Sequence, residues 1–253
     1  MNDLTFDKLF DLTNHVAVIT GAANGIGTAL AEVFVERGAT VALIDRDQRV
    51  HQVAEQLGER SYGFVCDISD EAQVQITVAA IATALGRIDI LINNAGIGSM
   101  IEASELSLAE WSKVISVNLT GQFIVTKAVA PHMFAREWGR ILCMSSQASI
   151  IGIEGHTAYS ASKTALLGMV RCMAIEWAPK GITVNAISPT IVETEMSLVG
   201  WSGEKGARAR KEIPVGRFAK PHEVAYAALF LCSDASAMIN GINLPVDGGY
   251  TVR

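Results

Sequence analysis

Tyr159-Ser-Ala-Ser-Lys163 sets a phenol and an ammonium four residues apart, a spacing that shares one face of a helix. The run that follows, Thr164 to Arg171, keeps a helical apolar rhythm. A tyrosine titrates near 10 in water, so at neutral pH it is a poor base, and a neighbouring positive charge favours its phenolate. Bringing it to about 7 takes roughly 4 kcal/mol of differential stabilisation, more than one exposed lysine supplies. A tuned pair of this kind would take a proton from a hydroxyl or return one to a forming alkoxide. Taken alone, the same spacing describes an ordinary surface pair. Other residues decide between the two.

The second chemical signal lies near the N-terminus. Thr20-Gly21-Ala-Ala-Asn24-Gly25-Ile26-Gly27 follows an apolar run and leads straight into a helical pattern. Gly21 suits a tight turn, while Gly25 and Gly27 allow a pyrophosphate and a helix to approach closely. The helix N-terminus then offers backbone N–H groups and a positive dipole end to phosphates. Asp45 ends the next apolar run 18 residues after Gly27. An acid there accepts a hydrogen bond from the adenosine ribose and repels a 2′-phosphate, so NAD is expected over NADP. Arg46 beside it reads as a solvated charge or as a cation that softens that repulsion.

The elements that must position these residues alternate. Strands are expected over 16–20, 40–44, 62–66, 88–92, 139–144, 182–187 and 242–246, and helices near 25–37, 47–57, 70–85, 107–136, 157–178 and 221–232. Near-continuous apolar strands between helices indicate an α/β fold, a doubly wound parallel seven-stranded sheet with helices on both faces. With 253 residues and no repeat, linker or low-complexity stretch, one domain spanning 1–253 is the expected count. The segment 190–217, rich in Ser, Gly and charge, reads as irregular and as a lid over a substrate.

Composition narrows the function. Half of the residues are hydrophobic and the net charge is −6, which leaves no basic footprint for nucleic acid. No run reaches the length of a membrane span, and the N-terminal stretch Met1 to Phe10 lacks the apolar core of an export signal. Cys66, Cys143, Cys172 and Cys232 are far apart and read as reduced core residues, and the five histidines form no ligand pattern. The expectation is a cytoplasmic protein without a metal.

Further motifs stand in register with these. Cys66-Asp67-Ile68 closes the third strand and Asn93-Asn94-Ala95-Gly96 the fourth; Asn118 lies in Val117-Asn-Leu, and Ser146 precedes Tyr159 by 13 residues. Together with the glycine loop and the Tyr–Lys pair, these residues resemble the short-chain dehydrogenase/reductase family over essentially the whole chain. The resemblance implies a catalytic tetrad of Asn118, Ser146, Tyr159 and Lys163. Tyr159 would be the acid–base, Lys163 would lower its pKa and hold the nicotinamide ribose, Ser146 would bind the substrate oxygen, and Asn118 would fix a water. It also implies adenine contact at Asp67 and Ile68, cofactor contact along Asn94, Ala95 and Gly96, and nicotinamide contact at Pro189, Val192 and Thr194.

Where the family usually has Pro-Gly after the sixth strand, this chain has Pro189-Thr190. Threonine lacks the freedom of glycine at positive φ, which puts that turn in question. This variant, with Ile213-Pro-Val-Gly-Arg-Phe218 and the ending Val246-Asp-Gly-Gly-Tyr-Thr251, resembles the sugar-alcohol (polyol) dehydrogenase branch. Gln147, Glu154 and His156 fall between Ser146 and Tyr159, where several substrate hydroxyls could be met. Glu154 could equally be solvated, and His156 could cap the Tyr159 helix. Trp201 and Met196 could cover the substrate, although Trp201 could instead serve a subunit contact. The partner expected is a small alcohol or ketone, with a 3-oxoacyl-thioester reductase and a non-catalytic nucleotide sensor as the alternatives. The resemblance also implies a homotetramer built through the helices near 107–136 and 157–178, for which Phe123, Val125, Leu166, Met169, Val170, Met173 and Trp177 offer apolar surface.

Overall fold

The computed structural model describes residues 5–253, apart from the side chains of Phe6, Met196, Leu198 and Val199. The first four residues of the N-terminal stretch and the Met196 side chain expected over the substrate therefore lie outside the described residues. Seven strands, β1 (Val16–Thr20), β2 (Thr40–Asp45), β3 (Ser61–Val65), β4 (Ile90–Asn93), β5 (Gly139–Met144), β6 (Ile182–Pro189) and β7 (Asn243–Val246), form one sheet in the order β3-β2-β1-β4-β5-β6-β7. Every pairing is parallel. Helices cover both faces, so β1 and β6 are buried along their whole length; β1 reads as a nearly continuous apolar run, whereas β6 also buries Thr183, Asn185 and Ser188.

After a short helical turn, α1 (Phe6–Leu9), one face is covered by α2 (Gly25–Glu36), α3 (Arg49–Leu57) and α10 (Pro221–Cys232), with Leu30, Phe34, Val50, Val224 and Leu229 in its core. The other is covered by α4 (Glu71–Leu85), α6 (Gln122–Phe134) and α7 (Thr157–Trp177), with Val78, Val129, Met133, Val170 and Met173 inward. Strand order reverses at β1, which pairs with β2 on one side and β4 on the other. The loops after β1 and β4 diverge there and open a crevice at the carboxyl ends of the strands.

Five expectations need correction. The single helix foreseen over 107–136 is α5 (Leu108–Ile115), a π-helical turn (Ser116–Gly121) and then α6. The Asn118 amide is held by the backbone of Ile97, and Gly121 passes so close to Ile68 that a Cβ there would lie 2.9 Å from its Cγ1. A widened turn accommodates both contacts; such bulges are frequent at functional sites. The irregular segment 190–217 instead contains two helices, α8 (Glu195–Gly200) and α9 (Gly203–Glu212). Thr194 and Ser197 form a reciprocal capping box that starts α8. Ala209, Ile213 and Phe218 build a small core of their own beneath α9, with Ile191, Trp201 and Tyr250 against it.

Thr190 causes no strain. Among the described residues only Asn14 and Glu137 are non-glycines at positive φ, and the Thr190 N–H bonds the Val246 carbonyl, extending the edge of the sheet. Cys66, Cys143 and Cys232 are buried and unpaired as expected, but Cys172 is exposed on the outer side of α7. Of the apolar residues assigned to a subunit contact, Val125, Leu166, Val170 and Met173 are buried in this chain's own core. Phe123 is exposed, and Met169 and Trp177 are partly so.

Candidate active site

The glycine loop holds its shape for steric reasons. Gly21 sits at φ +66°, and a Cβ on it would lie 2.7 Å from the Ala95 Cα; a Cβ on Gly27 would collide with the Gly21 carbonyl oxygen. Asn94 locks this loop to β4, its amide donating to the carbonyls of Thr20 (3.0 Å) and Gly21 (2.9 Å). Asn93 points to the other side and braces Thr126 of α6 at 2.7 Å. Gly21, Asn24, Gly25, Ile26, Asp45, Asp67, Ile68, Asn94, Ala95, Gly96 and Thr194 together line one cleft of about 510 Å³. Gly27 lies just behind it, where it packs on Gly21.

The cleft suits a dinucleotide. Its floor is a loop in which neither Gly21 nor Gly27 leaves room for a side chain, at the N-terminus of the 12-residue helix α2. Its far end carries the Asp45 carboxylate, whose oxygens accept from the N–H groups of Ala23 and Asp47, both at 3.0 Å. Arg46 lines the same end. Asp67 turns its carboxylate onto Ser69, at 2.9 Å from the N–H and 2.7 Å from the hydroxyl, and leaves Ile68 as the apolar wall beside it.

A second cavity, of about 390 Å³, continues from the first through the shared residues Ile26, Asn94, Gly96 and Thr194. It brings together Ser146, Gln147, His156, Tyr159, Lys163, Pro189, Val192, Thr194 and Trp201. Ser146 caps the short 3₁₀ turn Gln147–Ser149 through its hydroxyl. Tyr159 and Lys163 occupy the first turns of α7, with the Lys163 Nζ 5.7 Å from the centre of the phenol ring. Lys163 is clamped to β5 twice: its ammonium donates to the Met144 carbonyl (2.7 Å), and the Ser145 hydroxyl donates to the Lys163 carbonyl (3.0 Å). Burial pulls the Lys163 ammonium down to about 8.

The expected direction for Tyr159 is reversed in this structure. Desolvation pushes the phenol above its ordinary value, against the smaller opposing effect of its hydrogen bond with Ser146. Lys163, drawn to the Met144 carbonyl, does not overcome that burial here.

Asn118 lies behind the cavity wall. Its Oδ1 accepts from the Ile97 N–H at 2.7 Å, and its Nδ2 donates to the Ile97 carbonyl (2.9 Å) and the Ser162 hydroxyl (3.1 Å). A Cβ on Gly96 would sit 3.3 Å from both the Asn118 Oδ1 and the Lys163 Nζ, so this wall must be thin. His156 precedes α7 without capping it; its Nδ1 meets the Glu154 carbonyl at 2.7 Å and its ring stands edge-on to Tyr159. Glu154 is exposed and outside the cavity, because the turn before α7 presents its carbonyl rather than its carboxylate inward. Trp201 lines the cavity, packed edge-on against Phe218 with Lys205 over its ring.

Sequence reasoning missed several wall residues. Ile153 and Ile191 stand next to residues it did select, whereas Glu212 and Tyr250 come from the end of α9 and from the C-terminus. The Tyr250 hydroxyl donates to Glu212 at 3.1 Å, and Arg253 pairs with the same carboxylate at 3.3 Å. Tyr250 lies in the C-terminal motif Val246–Thr251, but nothing local pairs it with Glu212, since only the packing of α9 against the chain end joins them.

Known proteins are similar to this chain over nearly its whole length. A family model described as enoyl-(acyl carrier protein) reductase matches residues 21–251. The chain is 44% identical to a D-threitol dehydrogenase of Mycolicibacterium smegmatis, covering 99% of this chain and 98% of that protein. It is 45% identical to an NAD-dependent glycerol dehydrogenase of Listeria innocua, covering 98% of each. A gluconate 5-dehydrogenase from Burkholderia cenocepacia, solved with NADP and tartrate, superposes with a TM-score of 0.94 at 34% identity, over 98% of this chain and 100% of that one. With a glycine loop, an Asn-Asn-Ala-Gly brace and a Ser–Tyr–Lys cluster at one crevice, the chain belongs to the short-chain dehydrogenase/reductase family.

Proposed function

We propose that this protein is an NAD-dependent dehydrogenase that interconverts a secondary alcohol, of the polyol class, and its ketone. The observation that carries the reading is the continuity of the two cavities: the nucleotide cleft ends at Thr194 and Gly96, and the Ser146–Tyr159–Lys163 cluster begins there. The names of the threitol and glycerol dehydrogenases to which the chain is similar support the polyol class. Asp45 at the ribose end supports NAD, through a hydrogen bond to the 2′-hydroxyl and repulsion of a 2′-phosphate. One domain carries both sites in this reading.

A nicotinamide cofactor, held by the glycine loop, Asp45 and Thr194, would supply the hydride acceptor or donor. In the direction of oxidation Tyr159 takes the hydroxyl proton, and in reduction it returns that proton to the forming alkoxide. Ser146 holds the substrate oxygen and strengthens that bond as negative charge grows on it. Lys163 keeps an ammonium beside the phenol and reaches the nicotinamide ribose with the donors that its bond to the Met144 carbonyl leaves over. The Asn118 amide is committed to Ile97 and Ser162, so the water assigned to this residue falls to its backbone.

Assembly as a homotetramer in the cytoplasm completes the proposal. The α5–α7 region exposes Leu108, Phe123 and Ile175, and the C-terminal region exposes Tyr226, Met238 and Val252, which supplies apolar surface for two different two-fold contacts. Among the described residues no helix is long and apolar enough to cross a membrane.

A panel of C4–C6 polyols and their ketoses, followed by nicotinamide absorbance with both cofactors, tests the function. Oxidation of a polyol with NAD favoured is expected, and Asp45→Ala should narrow that preference mainly through the KM for the cofactor. A kcat/KM with NADP equal to or above that with NAD would sink the cofactor assignment; turnover of 3-oxoacyl thioesters alone would replace the substrate class.

A further inference from the structure

The turn Tyr159-Ser160-Ala161-Ser162-Lys163 holds two serines in opposite states. The Ser160 hydroxyl is enclosed without a hydrogen-bond partner. Ser162 has no exposed surface, and its hydroxyl makes two bonds. It donates to the Tyr159 carbonyl three residues back, at 2.7 Å, and accepts from the Asn118 Nδ2 at 3.1 Å. Three residues after Tyr159, it shares that residue's side of α7.

A hydroxyl has a single proton to give. Ser162 spends it on the Tyr159 carbonyl, a back-bond open to serine within a helix, and so meets Asn118 as an acceptor. That fixes which end of the Asn118 amide faces α7. Ile97 makes the same demand from the other side, since its N–H meets the Oδ1 at 2.7 Å and its carbonyl meets the Nδ2 at 2.9 Å. Turned over, the amide would set N–H against N–H at Ile97 and leave Ser162 without a donor. One hydroxyl therefore ties the Tyr159 turn to the π-helical turn Ser116–Gly121, 44 residues away along the chain. Met144 and Ser145 already clamp Lys163 to β5, and Ser162 supplies the matching clamp on the other side.

We propose that Ser162 is a positioning residue for the reaction: it holds the Asn118 amide, and with it the backbone of the π-helical turn, in register with the Tyr159 phenol. This rests on the reading of the chain as a dehydrogenase in which the Asn118 backbone holds a water beside the proton-carrying residues. Ser162 is in neither cavity wall, so its loss acts on turnover through Asn118 and not on cofactor binding.

The rate of polyol oxidation with NAD tests this role in a double-mutant cycle. Ser162→Ala leaves an Asn118 N–H buried and unpaired, and is expected to lower kcat about tenfold while the KM for NAD stays within about threefold. Ser162→Thr, whose hydroxyl can repeat the bond to the carbonyl three residues back, should retain kcat within about threefold. Ser160→Ala, which removes an unpaired hydroxyl, should match the wild type. Added to Asn118→Ala, Ser162→Ala should change kcat by less than about twofold, because the partner it acts through is already gone. Binding of reduced nicotinamide, read by protein-to-cofactor energy transfer, shows that each variant is folded. Wild-type kcat in Ser162→Ala, or losses that multiply in full in the double variant, overturns the role and leaves the dehydrogenase assignment standing. Where an alanine variant does not fold, Ser162→Cys against Ser162→Thr decides, since a thiol is a weak donor and acceptor; equal kcat in the two overturns the role. A wild type that oxidises no alcohol with either cofactor overturns both.

Discussion

Lys163 shows the conflict at the scale of one residue. The residue is 3% exposed and its ammonium is held down at about 8, against 10.5 for an ordinary lysine. At pH 7 it is charged in both states, so the folded chain carries a desolvation cost of about 3 kcal/mol. Lys163→Met removes that cost but orphans the Met144 carbonyl, for a net gain of about 1–2 kcal/mol at pH 7. Between about 8 and 10.5 the folded wild type has released the proton while the unfolded chain still holds it, so wild-type stability rises with pH across that window. The advantage of Lys163→Met in denaturant melts should therefore shrink from pH 7 to pH 10, while activity is lost throughout. An equal advantage at both pH values would contradict the assignment.

Tyr159 makes the complementary prediction. Burial holds the phenol above its ordinary value, so little phenolate is present at neutral pH in the cofactor-free protein. Alcohol oxidation is expected to accelerate as pH rises, and ketone reduction, which needs the protonated phenol, to slow. Tyr159→Phe should remove more than nine-tenths of turnover, a barrier increase above about 1.4 kcal/mol, with NAD binding intact. Stopped initial-rate series over pH 6–10 for both proteins check this; a flat profile in the wild type, or a larger residual rate in the variant, would remove Tyr159 from the role.

At the scale of elements, α9 and the chain end close the second cavity through a small core of Ala209, Ile213 and Phe218, and not through the main sheet. The Gly206 position explains why this segment looks irregular in sequence: a Cβ there would collide with the Trp201 carbonyl oxygen, so a poor helix former sits inside a helix for a packing reason. An element so weakly anchored opens at lower free energy than the core. Amide exchange across α9 is expected to slow stepwise with NAD and then with NAD plus a substrate analogue, as a closing lid requires. Full and unchanged protection in all three states would make α8 and α9 a static wall.

For the whole molecule, apolar residues remain exposed after one chain has folded, with Ile175 78% and Met238 98% accessible. They lie on separate regions, which suits a tetramer with perpendicular two-fold axes. Light scattering at micromolar concentration is expected to give about four times 27.0 kDa; a mass near 27 kDa would refute the assembly.

Periodicity and motif order in the sequence by themselves determined the seven parallel strands and the glycine loop, because these depend on local pattern within strand–turn–helix units, and the family resemblance supplied the spacing of Ser146, Tyr159 and Lys163. Tertiary structure decided the rest. The π-helical turn at Asn118 arises from Ile97 and Ile68, 21 and 50 residues earlier. The inward position of Val125 and Met173 depends on which helix face the sheet claims. The Tyr250–Glu212 contact depends on a chain end returning to α9. The upward shift of Tyr159 follows from burial, which a list of neighbouring charges does not contain. Local spacing is written along the chain, whereas desolvation and the meeting of distant segments exist only once the chain has packed.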